Sequence, residues 1–270
     1  MQLAMSKRRM LITGASAGIG EACARTWAKN GWDLVLIARR ADRLDTLAAE
    51  LKTAHGTDSA IVTSDLADPL APSRIVDELR ERGLLVDGVI NNAGYGVPGT
   101  FQSVNWRTHA DFLRVLLWAP TELTHHLLPG MVERGFGRVI NVASLAGLVP
   151  STAGHTLYGA TKSYLIRFSQ SLSQEVKHRG VHVLALCPGF TFSEFHDVNG
   201  MRSKVSTMPR FMWMTANEVA EQAFAASEKG AAILVNGRFN RFVAALTKLV
   251  PEALALKLVG RQAKRFRQSE

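Results

Sequence analysis

Thr13-Gly14-Ala15-Ser16-Ala17-Gly18-Ile19-Gly20 is the stretch whose reading decides the fold. A short apolar run, Arg9 to Thr13, leads into it, and a helical pattern follows to about Asn30, where Gly31 stops it. The order is strand, glycine-rich turn, helix. Glycines let the backbone approach a pyrophosphate, and the helix N-terminus offers that anion free N–H groups and the positive end of a dipole. The spacing is G-x-x-x-G-x-G rather than the commoner G-x-G-x-x-G, so the turn is informative because of its place between strand and helix.

The same alternation continues outward. Asp33 to Ala38, Ser59 to Leu66, Val86 to Ile90, Gly137 to Ala143, Val181 to Leu186 and Ala231 to Val235 read as strands. Between them lie helical patterns over Ala41 to Ala54, Ser73 to Arg82, Trp106 to about Leu128, Tyr158 to His178 and Asn217 to Glu228, with Asn105 and Thr215 placed to cap two of them. Such alternation implies one α/β domain, a doubly wound parallel sheet of about seven strands with helices on both faces. Ligands of such sheets sit beyond the carboxyl ends of the strands. The domain is expected to span residues 1–237, with a substrate loop at 190–214 and a basic amphipathic extension at 238–270.

Several strand ends carry polar or glycine residues. Ala38 and Arg39 stand about 20 residues beyond the glycine turn, where an acid would hold the free ribose of NAD. No acid is there, and a guanidinium pairs well with a 2′-phosphate, so NADP(H) is favoured over NAD(H). Asp65, beside Leu66, either meets the adenine edge or caps the next turn. Asn91-Asn92-Ala93-Gly94 follows the fourth strand, Ser144 the fifth, and Cys187-Pro188-Gly189 the sixth. Tyr158 and Lys162, four apart on a helix, share one face. An ammonium held there favours the phenolate, and a phenol so tuned can exchange a proton with a carbonyl oxygen.

The chain has 270 residues, 47% of them hydrophobic and 20% charged, as expected for a soluble globular protein. Its two cysteines, Cys23 and Cys187, sit in apolar runs and read as reduced core thiols rather than a disulfide framework. The first ten residues are too polar for a signal peptide core, and no stretch approaches the ~20 apolar residues of a membrane span, so a cytoplasmic location is expected. The formal charge of +9 is concentrated near the ends, for example at Lys7, Arg8, Arg9, Lys264, Arg265 and Arg267. With no nucleic-acid motif present, that excess suits an anionic membrane surface or a phosphorylated ligand. No cysteine or histidine cluster has zinc spacing, and His125-His126 are adjacent and do not face each other, so no metal site is expected.

Taken together, Thr13-Gly14-x-x-x-Gly18-x-Gly20, Asn91-Asn92-Ala93-Gly94, Ser144, Tyr158-x-x-x-Lys162 and Pro188-Gly189 resemble the short-chain dehydrogenase/reductase family through Val235. The resemblance implies a Rossmann-type fold, with Ser144 holding the substrate oxygen and Tyr158 as general acid/base. Lys162 would bind the nicotinamide ribose and lower the tyrosine pKa. Gly14, Ser16, Ile19, Gly20, Arg39, Asp65, Leu66, Asn92, Ala93, Gly94 and the segment Pro188, Gly189 to Thr191 would contact NADP(H). It also implies a homodimer or homotetramer, which fits the densely apolar helix after Asn105. The expected activity is interconversion of a hydrophobic ketone or aldehyde and its alcohol.

Three departures stand out. Leu116 occupies the place of an asparagine that supports the lysine through a water relay in the family. The interval from Ser144 to Tyr158 is one residue longer than usual, and Ser193 replaces a common threonine. Leu116 motivates an alternative from another class, a dinucleotide-binding scaffold or sensor with weak catalysis. The aromatic and methionine residues of the loop, Phe190 and Phe195 among them, either line a greasy substrate site or close the core. The tail either covers the pocket, packs on a partner subunit or makes peripheral membrane contact. His155, in the loop before Tyr158, reads as a pocket wall.

Overall fold

The central strands are apolar at almost every position, as strands covered on both faces must be. The computed structural model describes residues 7–151, 153–154, 156–194 and 209–250. Its strands are β1 (Arg9–Thr13), β2 (Asp33–Ala38), β3 (Ser59–Thr63), β4 (Gly88–Asn91), β5 (Gly137–Val142), β6 (Val181–Cys187), β7 (Phe190–Phe192), β8 (Trp213–Thr215) and β9 (Ile233–Val235). Its α-helices are α1 (Gly18–Lys29), α2 (Ala41–His55), α3 (Ala71–Glu81), α4 (Trp106–Leu113), α5 (Ala119–Glu133), α6 (Thr156–Val176), α7 (Ala216–Glu228) and α8 (Arg238–Leu249). Seven strands pair in parallel in the order β3-β2-β1-β4-β5-β6-β9. Ile12 of β1 stands beside Leu36 on one side and Ile90 on the other. The winding reverses between β1 and β4, which opens a crevice over their carboxyl ends. This is the doubly wound, Rossmann-type sheet expected from the alternation of elements.

Successive side chains of a strand point to opposite faces. Met10, Ile12, Leu34 and Leu36 therefore pack on one face with Trp27 of α1, Leu44 of α2 and Val219 of α7. Leu11, Val35, Ile37 and Val89 pack on the other with Ile75 of α3, Phe112 of α4, Leu123 of α5 and Leu172 of α6. Both faces are largely apolar. Cys23 and Cys187 are free thiols in these layers, and burial pushes each up to about 12.

Helix boundaries lie within about two residues of the expected ones except in one place. The helix expected from Trp106 to Leu128 is interrupted by a π-helical turn, Arg114–Trp118, and then runs on to Glu133. Pro120 accounts for the break. It has no N–H to return to the carbonyl of Leu116 four residues earlier, so the ladder widens there, with Ala119 N–H donating to Arg114 O. The third strand ends at Thr63 rather than Leu66, and the loop after β6 contains the small parallel pair β7–β8, with Phe190 beside Trp213. Three-residue strands are too short to show a period in sequence. Phe195, His155 and the second half of the basic tail lie outside the described residues. Among the described residues no helix is long and apolar enough to cross a membrane.

Candidate active site

The glycine turn is built to let two strand ends meet. Gly14 and Gly18 adopt φ of +68° and +58°, a region L side chains avoid. A Cβ on Gly14 would stand 2.9 Å from Ala93 Cα, and one on Gly20 would collide with the carbonyl of Gly14 and the amide of Asn92. Asn92 Nδ2 donates to Thr13 O (3.0 Å) and Gly14 O (3.2 Å), while Thr13 Oγ1 accepts from the N–H groups of Asn92 and Ala93. These bonds tie β1 to β4 at the reversal of the sheet. Ala17 caps α1 without a side-chain hydrogen bond, so the first N–H groups of that helix face the turn uncapped by the chain's own side chains. A diphosphate fits such an end.

The basic end of β2 divides its work. Arg39 Nη1 lies 3.9 Å from Asp65, and Asp65 Oδ1 accepts from Ala67 N–H at 3.0 Å, so this acid caps its turn. Arg40 turns the other way. It donates to Ser16 Oγ at 3.0 and 3.2 Å and to Glu194 at 3.0 Å, and Arg43 donates to the same carboxylate at 2.7 Å. Adjacent arginines could not be told apart in sequence; Arg39 directly follows β2, whereas Arg40 is the N-cap of α2 with extended backbone, and the two side chains leave in opposite directions.

At the carboxyl end of β5, Ser144 Oγ accepts from Ala146 N–H at 3.1 Å and hydrogen-bonds the phenol of Tyr158. Lys162 lies one turn further along α6, with Nζ 5.6 Å from the centre of the Tyr158 ring. That nitrogen donates to Val142 O at 2.7 Å and is buried. Burial pushes the Lys162 ammonium down to about 8. Burial also raises the Tyr158 phenol above its ordinary value, and the Ser144 hydrogen bond pulls it back. The expected effect of the ammonium on the phenol is thus not what dominates this geometry. The three side chains come together; the phenol's tuning is set first by burial and then by Ser144.

Leu116 is buried in the π-helical turn. With Asn91, Thr13, Val142 and Lys162 it lines a cavity of about 10 Å³, the room one water takes. Asn91 is oriented by a network. Its Nδ2 donates to Thr124 Oγ1 and Asn141 Oδ1, and Thr124 in turn gives its proton to Pro120 O. Asn91 Oδ1 is buried and has no partner among the described residues. Nothing in the local sequence marks Asn91 for this, because the partners come from β5 and α5.

Beside Tyr158 a second cavity of about 30 Å³ is walled by Val97, Phe101, Val104, Phe112 and Leu157. Val97, Phe101 and Val104 precede α4, Phe112 belongs to it and Leu157 lies in the first turn of α6; the spaced apolar residues Val97, Phe101 and Val104 were the available sign. Phe190 packs in β7 against Trp213, with ring centres 5.3 Å apart. Pro188 O accepts from Leu145 N–H at 2.9 Å, joining the Pro188-Gly189 turn to the Ser144 turn. Thr191 Oγ1 donates to Gly189 O at 3.2 Å. Asn240 of α8, buried, lies so close to Gly189 that any Cβ there would overlap it. The first part of the basic tail therefore buttresses the site. Among the described residues no group of histidine, cysteine and carboxylate side chains has the arrangement of a metal site.

Residues 8–201 match the short chain dehydrogenase family. The chain belongs to that family. Sulfoacetaldehyde reductase 2 of Chromohalobacter salexigens is 36% identical over 191 residues, covering 69% of this chain and 73% of that protein. A short-chain dehydrogenase of Sphingobium yanoikuyae in complex with NADPH superposes with a TM-score of 0.79 at 31% identity, covering 90% of this chain and 94% of that one. A bulky-bulky ketone specific alcohol dehydrogenase of Comamonas testosteroni gives 0.74 at 29% identity, covering 90% and 93%. This short-chain dehydrogenase is an oxidoreductase.

Proposed function

We propose that the enzyme interconverts a hydrophobic ketone or aldehyde and its alcohol with NADP(H), using Tyr158 as general acid/base. The observation that carries this reading is the convergence of the Ser144 hydroxyl, the Tyr158 phenol and the buried Lys162 ammonium at the strand ends beside the glycine turn. The bound dinucleotide supplies or accepts the hydride. Its diphosphate is held by the uncapped start of α1 and its 2′-phosphate by the arginines after β2, consistent with the NADPH complex of the Sphingobium relative. In reduction, Ser144 holds the carbonyl oxygen and Tyr158 gives it a proton; in oxidation Tyr158 takes the proton back.

Lys162 uses one N–H on Val142 O. Its remaining donors serve the nicotinamide ribose and a water in the small cavity, where Asn91 Oδ1 is the free acceptor. Support for the lysine then comes from β4 rather than from the side chain at 116. The apolar wall of Val97, Phe101, Val104, Phe112 and Leu157 takes the hydrophobic part of the substrate. Exposed Trp106 and Trp118 on the outer side of the α4–α5 rod favour a homodimer or homotetramer.

The test is NADPH oxidation over a panel of apolar carbonyls by wild type and Tyr158→Phe. Turnover falling by about 10³-fold, with NADPH binding retained, is expected. Unchanged turnover in the variant refutes the mechanism, and binding without turnover on any substrate favours the scaffold alternative.

A further inference from the structure

Arg40, Arg43 and Glu194 form a charge cluster that the proposed proton chemistry does not use. Each carboxylate oxygen of Glu194 is taken by a different arginine, Oε2 by Arg40 at 3.0 Å and Oε1 by Arg43 at 2.7 Å. Arg40 also grips Ser16 of the glycine turn through Nε and Nη2. The three segments are far apart in sequence. Ser16 leads into α1, Arg40 and Arg43 open α2, and Glu194 stands two residues beyond β7. Ser193 backs onto Gly18, with its Cβ 3.0 Å from where a Cβ on that glycine would be. The end of β7 is thereby held across the glycine turn and clamped to α2.

Two guanidinium groups and a hydroxyl, converging beside a helix N-terminus, are the donor set a phosphate monoester selects. Here a carboxylate of the chain itself occupies both arginines. It resembles the phosphate in charge and in presenting oxygens to two donors at once. A 2′-phosphate reaching Arg40 and Arg43 exchanges places with Glu194, whereas a dinucleotide without that phosphate leaves the ion pairs intact. The arginines and the carboxylate are all about two-fifths exposed, so the exchange needs no unfolding.

We propose that Glu194 is an internal anion that competes with the 2′-phosphate of NADP(H) for Arg40 and Arg43. It sets how strongly the enzyme distinguishes NADP(H) from NAD(H), and its displacement unties the end of β7 from α2. This rests on the cofactor reading given under Proposed function.

Fluorescence titration of the full chain with NADPH and with NADH, for wild type and Glu194→Gln, tests it. Exposed ion pairs contribute a factor of about two to five each, so losing two competing pairs tightens NADPH about four- to twenty-five-fold and leaves NADH within about twofold. The gap between the two proteins narrows in high salt, because the competing pairs are solvent-screened. NADPH affinity that is unchanged or weakened in the variant, or tightening of both dinucleotides alike, overturns the proposal. Wild type that binds NADH as tightly as NADPH overturns the cofactor reading and this proposal with it. NADPH preference with no response to Glu194→Gln overturns this proposal alone.

Discussion

Lys162 carries a measurable penalty for its position. Its side chain is 5% exposed and its pKa is brought down from 10.5 to about 8. Burial is the largest cause, and the neighbouring Cys187 opposes it. A lysine with a depressed pKa is less protonated in the folded state than in the unfolded chain. Between about 8 and 10.5 the unfolded chain binds more protons, so stability rises with pH across that window. Below about pH 8 the penalty is roughly 3 kcal/mol, from the size of the shift, and about 1 kcal/mol of it is relieved by pH 9. Cys23 and Cys187, pushed up to about 12, act in the opposite sense only above about pH 9, where unfolded thiols ionise first. The assay is urea unfolding of wild type and Lys162→Met at about pH 7, 8 and 9. Methionine fills the same space without a charge and loses the Val142 bond at every pH alike. The stability difference, wild type minus variant, should shift by roughly 1 kcal/mol in favour of wild type from pH 7 to 9. Parallel pH curves would refute the claim that the ammonium is destabilised where it sits.

Two further outcomes follow from the same geometry. Ser144→Ala removes a hydrogen bond that lowers the Tyr158 phenol, so the rising limb of the pH profile for alcohol oxidation should move to higher pH, with the rate at neutral pH down about tenfold; a limb that stays in place would deny the Ser144 bond that role. Gly20→Ala drives a Cβ into the Gly14 carbonyl and the Asn92 amide, and should destabilise the fold by about 1–3 kcal/mol while weakening NADPH binding. Urea unfolding with NADPH titration checks both, and a variant as stable and as tight as wild type contradicts the described packing.

The sequence by itself determined the sheet, the glycine turn and the pairing of Tyr158 with Lys162. Each is a local signal: apolar runs of strand length, glycines where the chain needs positive φ, and a four-residue helical spacing. Ser144 was legible because it stands at a strand tip. What only the tertiary structure decided depends on partners distant in sequence. The division of Arg39 and Arg40 between Asp65 and Ser16 needs the loops of three strands side by side. The clamp of Glu194 joins residues 154 positions apart. The break in the long helix was half legible, since Pro120 announces it, but its alignment with Asn91 and Lys162 came from packing. The tuning of Tyr158 belongs to the same class. Spacing placed an ammonium beside a phenol, yet burial, which no single sequence stretch encodes, moves both groups away from their charged forms.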